Sequence, residues 1–191
     1  TVIALVVILA LIVALIVYCV GIYNGLVSLR ENVKVAWANI DVLLKQRHDE
    51  LPKLVETCKR YMQFEQETLE KVMRARASVS SASTAGNVAA VGAAEQQLRA
   101  GVGRLFAVAE NYPQLKTDET FKQLQGRITA LEESIADRRE LYNDQVNLNN
   151  IRVMVFPDVV IARKFGFLPA QLLEFAETEK RDVDLGALFG T

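Results

Sequence analysis

The chain has 191 residues, of which 22 are basic and 23 acidic, so its formal net charge at pH 7 is −1. This balance offers no bulk electrostatic case for binding nucleic acid or an acidic substrate. Aromatic residues are sparse and the helix-favouring Ala, Leu, Glu, Gln and Arg dominate. The composition therefore predicts an all-α fold.

An apolar segment over residues 2–20 opens the chain and contains no charge, Pro or Gly. As an α-helix it spans about 28 Å, close to the hydrocarbon thickness of a bilayer. It is too long for a cleaved signal peptide and lacks a small-residue exit before Cys19, so we expect an uncleaved signal-anchor rather than a buried core helix. We predict a transmembrane helix over 1–22, a helical domain over 23–181 and an apolar, acidic tail over 182–191.

The charges that follow this segment predict its orientation. Basic residues are in excess, with Arg30, Lys34, Lys45 and Arg47 against Glu31 and Asp41. The positive-inside rule then makes the chain a single-pass protein with its bulk in the cytoplasm.

Apolar residues at three- and four-residue steps predict three long amphipathic helices. The first is expected to run from the membrane to Ser78, and Pro52 is expected to cause a kink near His48 rather than an end. The small, polar segment 78–87 is predicted to be a loop. The remaining helices are expected over 87–111, 118–155, 159–165 and 169–179. Helices with short connections pack most simply as an antiparallel up-and-down bundle.

Several motifs resemble the bacterial LemA family over nearly the whole chain. They are residues 23–27 (YNGLV), 36–55 (AWANIDVLLKQRHDELPKLV), 59–65 (KRYMQFE), 110–116 (ENYPQLK), 138–143 (RRELYN), Phe156-Pro157 and Phe165-Gly166-Phe167. Glu50 and Lys53 depart from the family pattern. The resemblance implies an inner-membrane anchor, a cytoplasmic bundle of bromodomain-like topology and no established enzymatic role. Some family members are encoded near membrane metalloproteases or stress genes, which hints at such a partner.

Ionisable residues near Pro52 form the first candidate site: Arg47, His48 and Asp49. Neighbouring helix residues point about 100° apart and cannot chelate one ion together, so metal binding or acid–base chemistry is disfavoured. We favour a buried polar network that fixes helix register, with surface exposure as the alternative.

The third long helix adds polar residues to this network: Arg138, Tyr142, Asn143 and Asn149. Asn149 and Asn150 are expected to pair with backbone freed by Pro52, and a ligand pocket is the less favoured alternative. The sequence contains no catalytic triad, phosphate-binding loop or CxxC pair, and we predict no cofactor. Cys19 and Cys58 are expected to be too far apart to form a disulfide.

Two pairs of small residues have a spacing of four: Ala10 and Ala14 within the apolar segment, and Gly21 and Gly25 just after it. Such pairs predict that helices associate in lipid. An isolated apolar patch in the tail, Leu185, Leu188 and Phe189, offers a second contact between copies. We therefore expect a homo-oligomer.

These observations favour a non-enzymatic scaffold that is anchored in the lipid bilayer, assembles laterally and organises or remodels the membrane. The alternative is an adaptor that recruits a membrane protease or signalling protein through the part of the bundle away from the membrane. An enzyme is the least favoured hypothesis.

Overall fold

The computed structural model describes residues 2–174. These residues form six α-helices and no strand, which confirms the predicted all-α fold. In chain order the helices are α1 (Val2–Lys59), α2 (Gln66–Thr84), α3 (Val88–Ala109), α4 (Pro113–Thr117), α5 (Glu119–Met154) and α6 (Asp158–Phe165). Helices α3, α5 and α6 confirm the predictions over 87–111, 118–155 and 159–165.

Helix α1 carries the N-terminal apolar segment. It contains a stretch long and apolar enough to cross a membrane, and the side chains of that stretch are exposed rather than packed inside the protein. The helix continues through Pro52, as predicted.

Helix α1 ends at Lys59, so the prediction of one helix reaching Ser78 was wrong. The connection, residues 60–65, contains neither Gly nor Pro. The fully buried side chain of Met62 holds it instead, together with a 2.8 Å hydrogen bond from the Met62 amide to the carbonyl of Cys58. Because the apolar spacing continues across this connection, the sequence pattern does not reveal it.

Helix α2 includes most of the loop predicted over 78–87, so that prediction was largely wrong. Packing keeps this serine-rich segment helical: Val79 is buried, and Ser83 Oγ donates a 2.7 Å hydrogen bond to Asp41 Oδ1 on α1. Arg76, nearer the start of α2, contacts α1 closer to its end. Helix α2 therefore runs antiparallel to the second half of α1.

Contacts divide the chain into two compact units. Of the described residues, we call 2–40 with 138–172 the anchor unit, and 41–137 with 173–174 the bundle unit. The predicted boundaries after residues 22 and 181 concern the membrane and the tail, and they stay predictions.

Each unit has an apolar core, and the predicted stripes supply the buried residues named here for the bundle unit but only Leu26 and Val153 of the core in the anchor unit. The core of the anchor unit consists of Ile22, Leu26, Val153, Ala162 and Phe167. In the bundle unit, fully or almost fully buried residues include Leu44, Leu51, Leu54, Leu69, Val91, Leu98, Leu105, Phe121 and Ile128. Burial of these stripes removes apolar surface from water and provides the main stabilisation of the helices.

Candidate functional site

A cluster of charged side chains lies inside the bundle unit. Arg47 on α1 and Glu95 on α3 have side chains that are each only 3% exposed, and Arg47 Nη2 donates to both carboxylate oxygens of Glu95. Glu132 on α5 places its Oε1 atom 4.0 Å from Arg47 Nη1. Buried charges are costly unless they are paired, so the cluster depends on the Arg47–Glu95 pair. Arg47 Nε and Glu132 Oε1 are buried without a hydrogen-bond partner among the described residues.

Two further carboxylates, Glu132 and Glu50, lie near this pair. Burial raises the pKa of the Glu132 carboxyl, and the opposing attraction of Arg47 is the smaller effect. Glu50 accepts a 3.1 Å hydrogen bond from Lys53 Nζ and lies 3.5 Å from Arg127 Nη1. Within residues 2–174, no group of three or more His, Cys, Asp or Glu side chains could hold a metal ion. The arrangement can therefore orient helices by charge pairing.

Sequence reasoning missed Glu95, although the sequence contains a signal for it. Glu95 lies three residues before Leu98 on the apolar stripe of α3, and Arg47 lies three residues after Leu44 on the stripe of α1. Opposite charges on the buried faces of two helices indicate an ion pair between them.

Only one of the three adjacent residues near Pro52 enters this cluster. Arg47 is buried, whereas His48 is half-buried and Asp49 is exposed. Partial burial and the nearby Arg76 guanidinium lower the pKa of His48. The three adjacent side chains thus differ in burial, and a network that includes all of them stays a prediction.

Pro52 leaves the carbonyl of His48 without its usual helical donor. Arg76 Nε on α2 supplies a donor, with a hydrogen bond of 2.8 Å to this carbonyl oxygen. The prediction that Asn149 and Asn150 would serve this backbone was therefore wrong.

The side-chain amides of Asn149 and Asn150, on α5, instead form hydrogen bonds with the segment that follows α6. Asn149 Nδ2 donates to the carbonyl of Leu168 at 3.4 Å, and Asn150 exchanges hydrogen bonds of 2.9 and 2.8 Å with the backbone of Ala170. Because side chains occupy these backbone groups, the segment is not helical. The helix predicted over 169–179 is thus wrong up to residue 174, and its remainder lies outside the described residues.

Tyr142 reinforces the same attachment. Its hydroxyl donates a 2.8 Å hydrogen bond to the carbonyl of Gln171, and its ring lies 5.5 Å from that of Trp37 between centroids. Burial raises the pKa of Tyr142. Asn143 is half-buried on the same helix, and the exposed Arg138 lines a shallow depression of about 320 Å³.

The predicted network therefore lies in two units, with Arg47, His48 and Asp49 in the bundle unit and the other four residues in the anchor unit. One joint network stays a prediction. Cys19 and Cys58 are both free, as expected, and burial raises the pKa of Cys58 to about 12.

The predicted oligomer contacts have varied surroundings. Three of the small residues are exposed on α1: Ala10, Ala14 and Gly21. Gly25 faces its own chain, since a Cβ atom there would lie 3.3 Å from Arg152 Nη2. The tail contacts lie outside the described residues: Leu185, Leu188 and Phe189. Their role in self-association stays a prediction.

Helix α1 exposes an apolar segment of membrane-spanning length and continues into all-α units. These features define the class: a membrane-associated helical protein. Comparison of sequences gives the family. The chain belongs to the LemA family, whose sequence profile matches residues 36–185.

Individual relatives are similar at low identity. The magnetosome proteins MamQ 1 and MamQ 2 of Paramagnetospirillum magneticum are each 26% identical over 177 residues, which cover 80% of this chain and 64% of each relative. Protein LemA of Metamycoplasma hominis is 26% identical over 173 residues, which cover 88% of this chain and 76% of that protein. The chain thus spans less than two thirds of the MamQ relatives.

Proposed function

We propose that this protein is a single-pass, membrane-anchored helical scaffold that self-assembles and organises or remodels the membrane without catalysing a reaction. The continuity of α1 carries the proposal. Its exposed apolar segment over 2–20 and its buried residues from Ile22 onward belong to one helix. Such a segment is stable in lipid and unfavourable in water, so the helix joins the folded units directly to a bilayer.

We place the anchor in the bacterial inner membrane with both units on the cytoplasmic side. The basic excess just after the apolar segment supports this orientation. An accessibility assay on spheroplasts tests it, since a protease added outside is expected to leave the chain intact until the membrane is permeabilised.

Self-assembly is supported by the exposed pair Ala10 and Ala14, where small side chains allow two helices to approach in lipid. We expect the full chain in mild detergent to elute as a discrete oligomer in size exclusion with light scattering. Combined Ala10→Ile and Ala14→Ile changes should reduce its mass, whereas Ala4→Ile, on another side of the helix, should not. A monomeric wild-type chain would contradict the scaffold.

The tail provides a second test of assembly. Removal of residues 182–191 should leave the helical units folded by circular dichroism but reduce the oligomer mass. An unchanged mass would exclude the tail as a contact between copies.

One surface favours the alternative function, an adaptor for a membrane protease or signalling protein. Phe64, between α1 and α2, is 95% exposed and lies beside a groove of about 800 Å³ lined by Val55, Met62, Leu69 and Met73. Lys59 and Glu70 also line this groove, and an exposed aromatic residue beside a groove of mixed polarity suits a protein partner. A monomeric chain whose bound protease is lost on Phe64→Ala, but kept on Val42→Ala, a control at another exposed apolar residue, would favour the adaptor.

A further inference from the structure

Helix α5 runs back towards the apolar segment of α1 within the anchor unit. The rings of Trp37 and Tyr142 are in contact at one level, and Gly25 meets Arg152 at another. Residue numbers fall along α1 while they rise along α5, so the two helices are antiparallel. Since each residue advances a helix by about 1.5 Å, residues 153–156 come level with the end of the apolar segment.

Packing places α6 at the same level. The apolar core of the anchor unit joins Ile22 and Leu26 of α1 to Ala162 of α6. The ring of Tyr23 lies 5.0 Å from that of Phe165 and 5.6 Å from that of Phe167 between centroids. Helix α6 and the residues that follow it therefore pack against α1 just where the chain leaves the apolar segment.

The position of the first charge on α1 relates this level to the bilayer. Residues 2–29 contain no charged side chain, and Arg30 is the first. One headgroup layer is about 6 Å thick, which a helix covers in about four residues. If residues 2–20 cross the hydrocarbon, residues 21–24 lie among the headgroups, and α6 packs at their level.

Large apolar side chains around α6 are exposed at this level. They are Phe156 (82% exposed), Leu168 (77%), Met154 (62%) and Val160 (56%), which we call the α6 surface. Single exposed apolar residues are ordinary, but these four all lie in α6 or in its flanks, which pack at the end of the apolar segment.

The charges beside the α6 surface are basic. Arg163 and Lys164 are exposed, and they follow Val160 by three and four residues on the same face of α6. Asp158 is the only acidic residue between 145 and 173, and its carboxylate is bound by Arg152 Nε. Exposed apolar residues flanked by cations suit a membrane surface that contains anionic lipids.

We propose that the α6 surface inserts into the headgroup region of the bilayer that α1 crosses, as a second membrane contact strengthened by anionic lipids. This inference rests on the proposed anchor, because the level of α6 is measured from the apolar segment. The contact adds volume to one leaflet only, which gives the scaffold a means to act on membrane shape.

Depth-dependent quenching tests the contact in the full chain. The protein, with Cys19→Ala, is reconstituted in phosphatidylcholine–phosphatidylglycerol vesicles that contain a doxyl-labelled lipid quencher. A thiol-reactive fluorophore is attached at Val160→Cys, at Leu9→Cys within the apolar segment, or at Val35→Cys. Val35 is a matched control, since it is apolar and 62% exposed but lies beyond Arg30 on α1. Cys58 stays unlabelled because it is fully buried.

We expect lipid quenching at Leu9 and at Val160 but not at Val35. Adding Phe156→Ser and Leu168→Ser to Val160→Cys should lower its quenching to the Val35 level, with helix content unchanged by circular dichroism. Leu168→Ser alone should also lower the lipid quenching at Val160. Because this side chain is largely exposed, the change carries less risk to folding. Arg163→Gln with Lys164→Gln should remove the dependence on phosphatidylglycerol.

Each alternative result has a separate meaning. Quenching at Leu9 without quenching at Val160 would overturn the second contact and leave the anchor standing. Absence of quenching at both sites would overturn the anchor as well. A Val160 probe shielded from aqueous iodide but not quenched by lipid would be covered by protein, such as a second copy of this chain, and would also overturn the proposal.

Discussion

Arg76 Nε donates a 2.8 Å hydrogen bond to the carbonyl oxygen of His48, the group that Pro52 deprives of its helical donor. A side chain on α2 thus repairs a defect in the backbone of α1. The contact explains how α1 continues through a proline without leaving this carbonyl unpaired.

Arg76→Ala is therefore expected to lower the free energy of unfolding by about 1 kcal/mol, because the carbonyl loses its partner. In a Pro52→Ala background the new amide can bond to His48, so the same change should cost less. Urea unfolding of the four variants in mild detergent measures this coupling. Equal costs in both backgrounds would show that Arg76 acts only through packing.

The Arg47–Glu95 pair should show the behaviour of buried charges. Arg47→Met or Glu95→Leu alone is expected to cost about 3–5 kcal/mol, since each removes the main partner of a buried charge. Without Glu95, Arg47 keeps the longer, 4.0 Å contact with Glu132. The two changes together should recover most of that loss. Glu67→Ala, which breaks an exposed pair with Lys71, is the control and should leave the free energy of unfolding almost unchanged. Additive losses in the double variant would contradict a direct pair.

Glu132 should give stability a pH dependence. Its pKa is raised in the folded protein, so the folded state holds this proton more tightly than the unfolded state does. Its contribution is present below the unfolded pKa and is lost as pH rises through the folded pKa. Glu132→Gln should therefore be more stable than wild type at pH 7, with the difference shrinking towards pH 4. Glu133→Gln, at an exposed neighbour, controls for net charge. A gain that persists unchanged at pH 4 would refute the assignment.

Two glycines of α3 should respond oppositely to alanine. A Cβ atom on Gly92 would collide with the backbone carbonyl oxygen of Glu174, whereas nothing lies within 4 Å of one on Gly103. We expect Gly92→Ala to lose about 1–3 kcal/mol through overpacking. Gly103→Ala should gain up to about 1 kcal/mol of helix propensity. Thermal melts in one detergent compare them, and a stabilised Gly92→Ala would show that residues 173–174 do not pack there.

The predicted core illustrates what periodicity can establish. Leu124, Ile128 and Ile135 recur at helical spacing, and the structure buries all three on α5. The same spacing wrongly predicted one continuous helix where Leu54, Cys58 and Leu69 continue one stripe across residues 60–65, at which the chain reverses direction. A stripe shows which face is buried, but it does not show whether one helix or two antiparallel helices carry it.

The sequence alone was enough to establish the all-α class, the apolar N-terminal segment and most buried positions. Composition and helical periodicity depend only on residues that are near one another in the chain. Long-range packing settled what remained: where α1 ends, that Arg47 meets Glu95, and that Asn150 holds Ala170. A buried polar group must find a partner, yet its own neighbours in sequence do not specify which distant group supplies it.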